Sequence, residues 1–577
     1  MCAYSLNASA DPAFAWSKIV DSPEANEQNG GITVTADGNF VSFNSFQTSG
    51  TDSPCYFGSE VVANGSTTSG NRNLLVLKND SEGNKLWAVY SKEGYIDASA
   101  GGITPTPDGG VIALVKTRPT YGSPYKAAVL VDASGDETEI YDMNTSIWGY
   151  TQAIIKISAS GNIEWARIVL MDQLPVPAAT TTAGKVATTD AVTPSSVCTD
   201  SDGNIFIAGN YRAPMVVSGQ NNSCFVLTAR NIATYNGDPQ QTAGGLYLIK
   251  LDAAGNYLGH IKPSGDNNYE KINSLAYVNG NIVFNGNAKG NGDTSSLSIG
   301  THSFDMAANT LDGLFVGSVK ASDLSCNYLR RYTTFANSKN AFVLQVKNMI
   351  AADGKVYVCG AINGGIGDTD ASSAIIATEG TMLEAFALQI DAADGSILRA
   401  YREPGTAITG YFGAFAYGDD VYFQGYTIMK NAFIDRFPAA AEWTDNSRFN
   451  FMTGTIGMAA GAAINQAGIA LVSTRVNGEV VLSGTDTKPK TTGYGTVLTS
   501  YNFGSTVGIS DISAPAGNIS FAGENGAIAV TADCDSDVTV YNLEGIVVAS
   551  EHVSQGTTRI SLPQGIYIAN GTKIAVK

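Results

Sequence analysis

The chain has 577 residues and a formal net charge of −18, from 34 Lys and Arg against 52 Asp and Glu. That sign repels phosphate backbones and anionic membrane surfaces, so nucleic acid is excluded as an expected partner. Glycine is abundant (63) and charged residues are sparse (15%), a balance that favours short strands joined by glycine-containing turns over long helices.

Read from the N-terminus, MCAYSLNASADPAF has no basic region followed by an apolar core, so it is not a signal peptide. It fits either a cytoplasmic protein or a mature form. Cys2 sits where a processed bacterial lipoprotein carries its lipid, which makes it a lipidation candidate. No run of about 18 apolar residues occurs that could span a bilayer as a helix. Membrane association is therefore expected only through such an anchor.

FAWSKIV at 14–20 reads as a lone strand, and two kinds of hairpin then alternate along the chain. The first, A-B, recurs at 30–43, 101–114, 195–209, 272–286, 347–360, 412–425 and 470–484. Each copy is an apolar run, an Asp-Gly or Asn-Gly turn (Gly-Asp-Asp at 418–420) and a second run; such turns supply the positive φ that tight hairpins need. The second, C-D, recurs at 73–91, 152–170, 245–263, 313–332, 384–402 and 430–450. That series is one short. GTVLTSYNF at 495–503 supplies a lone strand C and 14–20 a lone strand D, so the two ends complete one unit and Trp16 matches Trp87 and Trp165. A tryptophan repeated at one strand position predicts packing between units rather than a ligand platform. Leu258 and Leu398 take its place in later units.

Repetition of four short strands predicts a radial array: an all-β fold, a seven-bladed β-propeller over 1–503 closed by joining its first and last strands in one blade. IKLDAAGNYL at 249–258 and CTDSDGNIFIAG at 198–209 resemble the seven-bladed β-propeller repeat of bacterial surface and secreted proteins. The resemblance covers roughly 13–503 and implies a fold, since that family has no single activity.

Alternating strand direction puts the tight A-B and C-D turns on one face and the B-C and D-A loops on the other. The second set holds the insertions, at 47–72, 118–151, 171–193, 213–244, 287–311, 361–383 and 450–468. Loops this long usually bind something or are disordered. Insertion 118–151 carries Tyr121, Tyr125, Tyr141, Trp148 and Tyr150, candidate anchors for a glycan, a peptide or a protein. Its KAAVLVDASGDETEIYDM segment also reads as an inserted hairpin. The Gly-, Ser- and Thr-rich stretches 180–194 and 287–300 read as flexible or loosely packed loops.

Chemistry-bearing motifs are scarce. The histidines His260, His302 and His552 are far apart, no GxSxG, HExxH or GxxxxGK[ST] occurs, and the seven cysteines include no CxxC pair. No cofactor is expected, and disulfide pairing stays open. Asp368 and Asp370 in GDTD are weak calcium candidates. An acidic pair near the axis would serve a carbohydrate-active hydrolase or lyase, but sequence does not single one out.

After a small-residue linker at 504–517, residues 518–577 predict a small antiparallel β-sandwich of the immunoglobulin-like kind. Val540-Tyr541-Asn542-Leu543-Glu544-Gly545, Leu562-Pro563-Gln564-Gly565-Ile566-Tyr567 and the closing Lys573-Ile574-Ala575-Val576-Lys577 resemble the C-terminal sorting domain of the type IX secretion (Por) pathway. That resemblance implies export from a Gram-negative cell. The combined expectation is a non-catalytic binding or scaffold protein, secreted or on the extracellular face of the outer membrane. With a lipidated Cys2 it would be an accessory lipoprotein of an outer-membrane nutrient transporter; the alternatives are a glycan-active enzyme and an adhesin.

Overall fold

The computed structural model describes residues 11–22, 27–47, 54–65, 72–118, 128–140, 151–171, 192–211, 215–218, 224–227, 233–235, 238–240, 245–261, 270–288, 295–306, 313–337, 343–504 (without 379, 406 and 444–445) and 519–577 (without 534, 543–546 and 570–571). Every regular element among them is a β-strand. Two compact units are present, Phe14–Tyr501 and one formed around Asn502–Lys577.

Within the large unit, consecutive strands pair antiparallel into meanders. Gln28–Val34, Phe40–Gln47, Arg72–Asn79 and Lys85–Glu93 lie side by side in that order, and the hairpin Val129–Val131/Glu137–Glu139 extends their outer edge. This is the hairpin anticipated within insertion 118–151. The meander that opens with Tyr95–Pro105 is extended likewise by Met215–Ser218 and Cys224–Leu227. Four-stranded meanders open with Val192–Thr199, Lys271–Val278 and Val343–Ala352. A nine-stranded sheet runs from Thr409–Tyr417 through Ser447–Ile464, Ile469–Leu482, Lys490–Asn502 and Ala13–Asp21 to Pro54–Phe57 and Glu60–Asn64. The strand nearest the N-terminus thus lies beside a strand near residue 500, as 14–20 and 495–503 suggested, and Ser17 Oγ donates to Leu498 O at 3.2 Å.

Each meander begins with an inner strand, and inner strands touch one another in chain order: 28–34 beside 95–105, then 192–199, 271–278, 343–352, 409–417 and 447–464, which contacts 28–34. The third and fourth strands of a meander are joined by turns that the sequence fixes locally. Asp80 Oδ1 accepts from the amides of Glu82 and Asn84, and Asp252 Oδ1 from those of Ala254 and Asn256, while Gly83 and Gly255 both take φ of +81°. An aspartate that mimics a backbone turn, followed by a glycine free to adopt left-handed φ, explains why D-x-x-G-N recurs.

Sheets interlock through the outermost strand of one meander and the C-D turn of the next. Trp16 Nε1 donates to Ser81 O at 2.7 Å and Trp87 Nε1 to Ala159 O at 3.0 Å. Each indole lies flat on a turn glycine: a Cβ added at Gly83 would sit 2.6 Å from Trp16, and one at Gly161 2.7 Å from Trp87. The tryptophans are packing groups, as expected. Register corrects the later assignments, however. Lys78 pairs with Trp87 and Lys156 with Trp165, but Lys250 pairs with Gly259, Ser318 with Tyr328, Gln389 with Arg399 and Asp435 with Arg448. The tryptophan position is therefore Gly259 and Arg399, each four residues past the turn glycine. Leu258 and Leu398 align instead with Leu86, and all three are exposed.

Two further expectations are corrected. The hairpin placed at 470–484 turns earlier, at Asn465–Gly468: Asn465 Oδ1 accepts from Ala467 N and Ile469 N, and Gly468 has φ +78°. Residues 447–464 are one long strand rather than an insertion, and the Asn477-Gly478 pair forms a bulge, because Ile456 pairs with Val476 and Gly454 with Val480. The stretch 287–300 is not wholly loose either. Ser295–Ile299 pairs with His302–Met306, and Leu297, Ile299 and Met306 are buried in a core with Phe284 and Phe315; the alternation S-L-S-I was a strand signal masked by polar composition.

In the small unit, Ile519–Glu524, Ala527–Ala532 and Gly556–Ser561 form one sheet, and Val547–Val553, Ser536–Tyr541, Gly565–Ala569 and Thr572–Val576 another. Ile528, Val530, Val538, Val540, Ile560 and Ile574 form its own apolar core.

Candidate functional site

The inner strands share an irregularity that sequence reading missed. Ladder register shifts occur between Asn29 and Gly31, Asp97 and Gly101, Pro194 and Ser196, Ile272 and Ser274, Val346 and Asn348, Tyr411 and Gly413, and Ala459 and Gly461. A bulge inserts an unpaired residue and re-aims side chains. Here the shifts surround one cavity of about 220 Å³, whose wall includes Gly30, Gly101, Ser195, Asn273, Asn348, Phe412 and Ala460. Glycines are required where strands close in: a Cβ on Gly461 would lie 3.1 Å from Gly31 Cα.

Among the described residues its lining is Gly, Ser, Asn, Ala, Ile, Val, Leu, Met and Phe. Ser195 Oγ is within reach of Ile272 O at 2.6 Å and Ala208 O at 3.0 Å, and Ser196 Oγ accepts from Leu275 N, so these hydroxyls brace neighbouring strands. Behind the wall stands a second layer of amides. Asn29 Nδ2 donates to Asn44 Oδ1 at 2.8 Å, and Gln424 Nε2 to Ser473 O at 2.8 Å. Gln424 Oε1, Asn285 Oδ1 and Ser473 Oγ are buried without a hydrogen-bond partner, which suits ordered water or a neutral polar group. The described lining can accept and donate hydrogen bonds.

Farther along the same inner strands, on the face of the A-B turns, a wider cleft of about 700 Å³ is lined by Val34, Thr35, Asp37, Asn39, Pro105, Thr106, Thr199, Ile464 and Asn465. Its carboxylate is engaged: Lys78 Nζ lies 2.8 Å from Asp37 Oδ2. Burial opposes ionisation, yet the bonds from Lys78 and Thr35 hold the Asp37 carboxyl well below its usual range.

Tyr121, Tyr125, Tyr141, Trp148, Tyr150 and Cys2 all lie outside the described residues. Asp368 and Asp370 lie within them and do not converge. Asp368 Oδ1 takes Arg330 Nη2 at 3.4 Å and Thr369 N at 2.7 Å, while Asp370 is an exposed turn residue at φ +57°. Among the described residues no three His, Cys, Asp or Glu side chains assemble as metal ligands. Cys198 and Cys359 are buried, as expected, and Cys55, Cys198, Cys326 and Cys359 are free thiols.

Among the described residues, an ionic cluster lies elsewhere. Arg448 makes a bidentate pair with Asp435, Nε to Oδ1 at 2.7 Å and Nη2 to Oδ2 at 2.6 Å, and reaches Glu403 Oε1 at 2.9 Å. Tyr411 OH donates to the same Asp435 at 2.5 Å. Every member is satisfied by another member, which marks structure rather than a ligand seat.

No protein-family model matches the chain, and no curated protein matches it in sequence. Among solved structures, it is similar to the quinohemoprotein alcohol dehydrogenase of Comamonas testosteroni, with 12% identity, 86% of this chain and 78% of that one covered, and a TM-score of 0.38. It is similar also to the Pan2 WD40 domain of Neurospora crassa (7% identity, 53% and 88% covered, TM-score 0.21). A third likeness is to PorZ, a surface component of the type-IX secretion system of Porphyromonas gingivalis (9%, 95% and 91%, TM-score 0.18). Superpositions this loose carry neither fold nor function, which rest on strand pairing and the cavity wall.

Proposed function

We propose that the protein is a non-catalytic binding or scaffold protein of the bacterial cell surface, built on a closed seven-bladed propeller over 1–503. A linker at 504–517 and a sorting-domain-like sandwich at 518–577 complete it. Closure is supported by the cyclic order of inner-strand contacts and by the pairing of Ala13–Asp21 with the nine-stranded sheet. The observation that supports the non-catalytic reading is that, among the described residues, the lining of the axial cavity carries no carboxyl group, whereas an acid-base glycosidase needs two at the reacting centre.

Binding is then assigned to the insertion-rich face, with Tyr121, Tyr125, Tyr141, Trp148 and Tyr150 as aromatic anchors for a glycan, peptide or protein. Cys2 carries a lipid in this reading, and an outer-membrane transporter is the partner. The test is a mild-detergent pull-down of the tagged protein from its own outer membranes, with mass spectrometry of partners and of the N-terminal peptide. A lipidated cysteine with a stoichiometric transporter, lost when the five aromatics are changed to alanine, is the expected result. An unmodified N-terminus without partner, together with glycan turnover by the isolated protein, would overturn it.

A further inference from the structure

We propose that Glu27 is a neutral carboxylic acid whose proton latches the end of the first strand to the adjoining sheet, and that this latch opens in alkali. Ser22 directly follows strand Ala13–Asp21. Its Oγ lies 2.8 Å from the main-chain oxygen of Gln47 and is also hydrogen-bonded to Glu27 Oε1. A hydroxyl has one hydrogen to give, and a carbonyl can only accept. Both contacts are hydrogen bonds only when Ser22 donates to Gln47 and Glu27 donates to Ser22. Glu27 must then carry the proton.

The surroundings agree. Glu27 is fully buried, and its Oε2 has no hydrogen-bond partner, tolerable for the carbonyl of an acid and costly for a carboxylate. Burial first, then the nearby Asp21 charge and a hydrogen bond with the Asp21 carboxyl, push its pKa up to about 8 against the opposing effect of the Ser22 hydrogen bond. The titratable and charged groups around it come from several strands. Asp21, itself raised by burial, is held by hydrogen bonds with Thr492, Ser22 and Glu27. The buried Cys55 thiol senses both carboxyls. Arg475 donates through Nε to the Glu27 main-chain oxygen at 3.1 Å and stacks 4.3 Å over Tyr494. Near Arg475 stands Arg72, 3.5 Å from Asp97.

The latch therefore joins three chain segments: the end of the first strand, the start of inner strand 28–34, and the end of Phe40–Gln47. Three residues on from Glu27, Gly30 lies in the wall of the axial cavity. Because the folded-state pKa is raised, the latch contribution is fully present below the ordinary glutamate value and is lost as pH rises through about 8. The unfolding equilibrium shifts by up to roughly tenfold per pH unit across that window for one retained proton.

Urea unfolding of the full chain between pH 5 and 10, compared with Glu27→Gln and Ser22→Ala, tests this. Wild type and Glu27→Gln should coincide near pH 5 and separate above it, the permanently neutral variant becoming the more stable. Ser22→Ala should lose stability at pH 5 already. Difference infrared spectra of the folded wild type should show a protonated-carboxyl band at pH 6 that titrates near pH 8, a readout that does not require either variant to fold. Parallel pH profiles, or an infrared titration in the ordinary carboxylate range, would overturn the assignment.

Discussion

In the sheets formed by residues 28–171, the fourth strand carries a tryptophan that lies on the next turn glycine, whereas in those formed by 343–464 the same register position carries an arginine. Trp87 gives its indole hydrogen to Ala159 O. Arg399 gives Nη2 to Ala440 O at 2.7 Å, and between them Lys250 gives Nζ to Ala321 O at 2.7 Å and Ser322 O at 3.0 Å. In these three junctions the acceptor is a carbonyl in the neighbouring C-D turn. The donor varies in type and, with Lys250 on the third strand opposite Gly259, also in position. What the architecture demands is a long side chain with an apolar stem and an N–H at its tip, and Trp, Arg and Lys all meet that requirement. A repeat can thus fade in sequence while its junction persists.

The comparison can be broken at its ionic end first. Arg448→Met strands the fully buried Asp435 and should cost about 3–5 kcal/mol in urea unfolding, since removing one partner of a buried pair leaves an uncompensated charge. A loss under 1 kcal/mol would show that water reaches Asp435. At the aromatic end, Trp87→Ala should cost about 3–5 kcal/mol by cavity formation. Trp165 sharpens the contrast: it is half-buried and its Nε1 has no hydrogen-bond partner, so Trp165→Ala should cost less, about 2 kcal/mol. Equal losses would mean that the indole hydrogen bond adds nothing. Gly461→Val, which places a side chain against Gly31 at the cavity wall, should cost about 1–3 kcal/mol through overpacking and should not alter the junctions. At the small end, Lys92→Met removes an exposed pair with Glu137 at 2.5 Å and should leave the unfolding midpoint unchanged.

Much of the fold was legible because turns and strands are coded locally. Asp and Gly at fixed spacing set each hairpin, and the lone FAWSKIV segment disclosed the pairing of distant strands. Three features were not legible for physical reasons. Asn465 replaces aspartate in a turn whose glycine follows three residues later, so Asn477-Gly478, a stronger hairpin signal, drew the boundary to the wrong place. The Leu258 and Leu398 assignments slipped by one residue because an exposed leucine looks more like tryptophan than glycine or arginine does. The bulges around the cavity leave no periodic mark: Gly30, Ser195, Asn273 and Phe412 share a position but no chemistry. The Glu27 latch was invisible for another reason, since its partners Ser22 and Gln47 meet it only after three strands converge.

The joining of distant strands is the claim on which the ring depends. Ser17 Oγ and Thr499 Oγ1 are 3.5 Å apart, so cysteines at both positions should form an intramolecular disulfide when the native monomer is oxidised. The wild type, whose Cys55, Cys198 and Cys359 are buried, serves as the control. Faster migration on a non-reducing gel and a raised unfolding midpoint are the outcomes expected of a closed ring. Two freely reactive thiols in the folded monomer would contradict it.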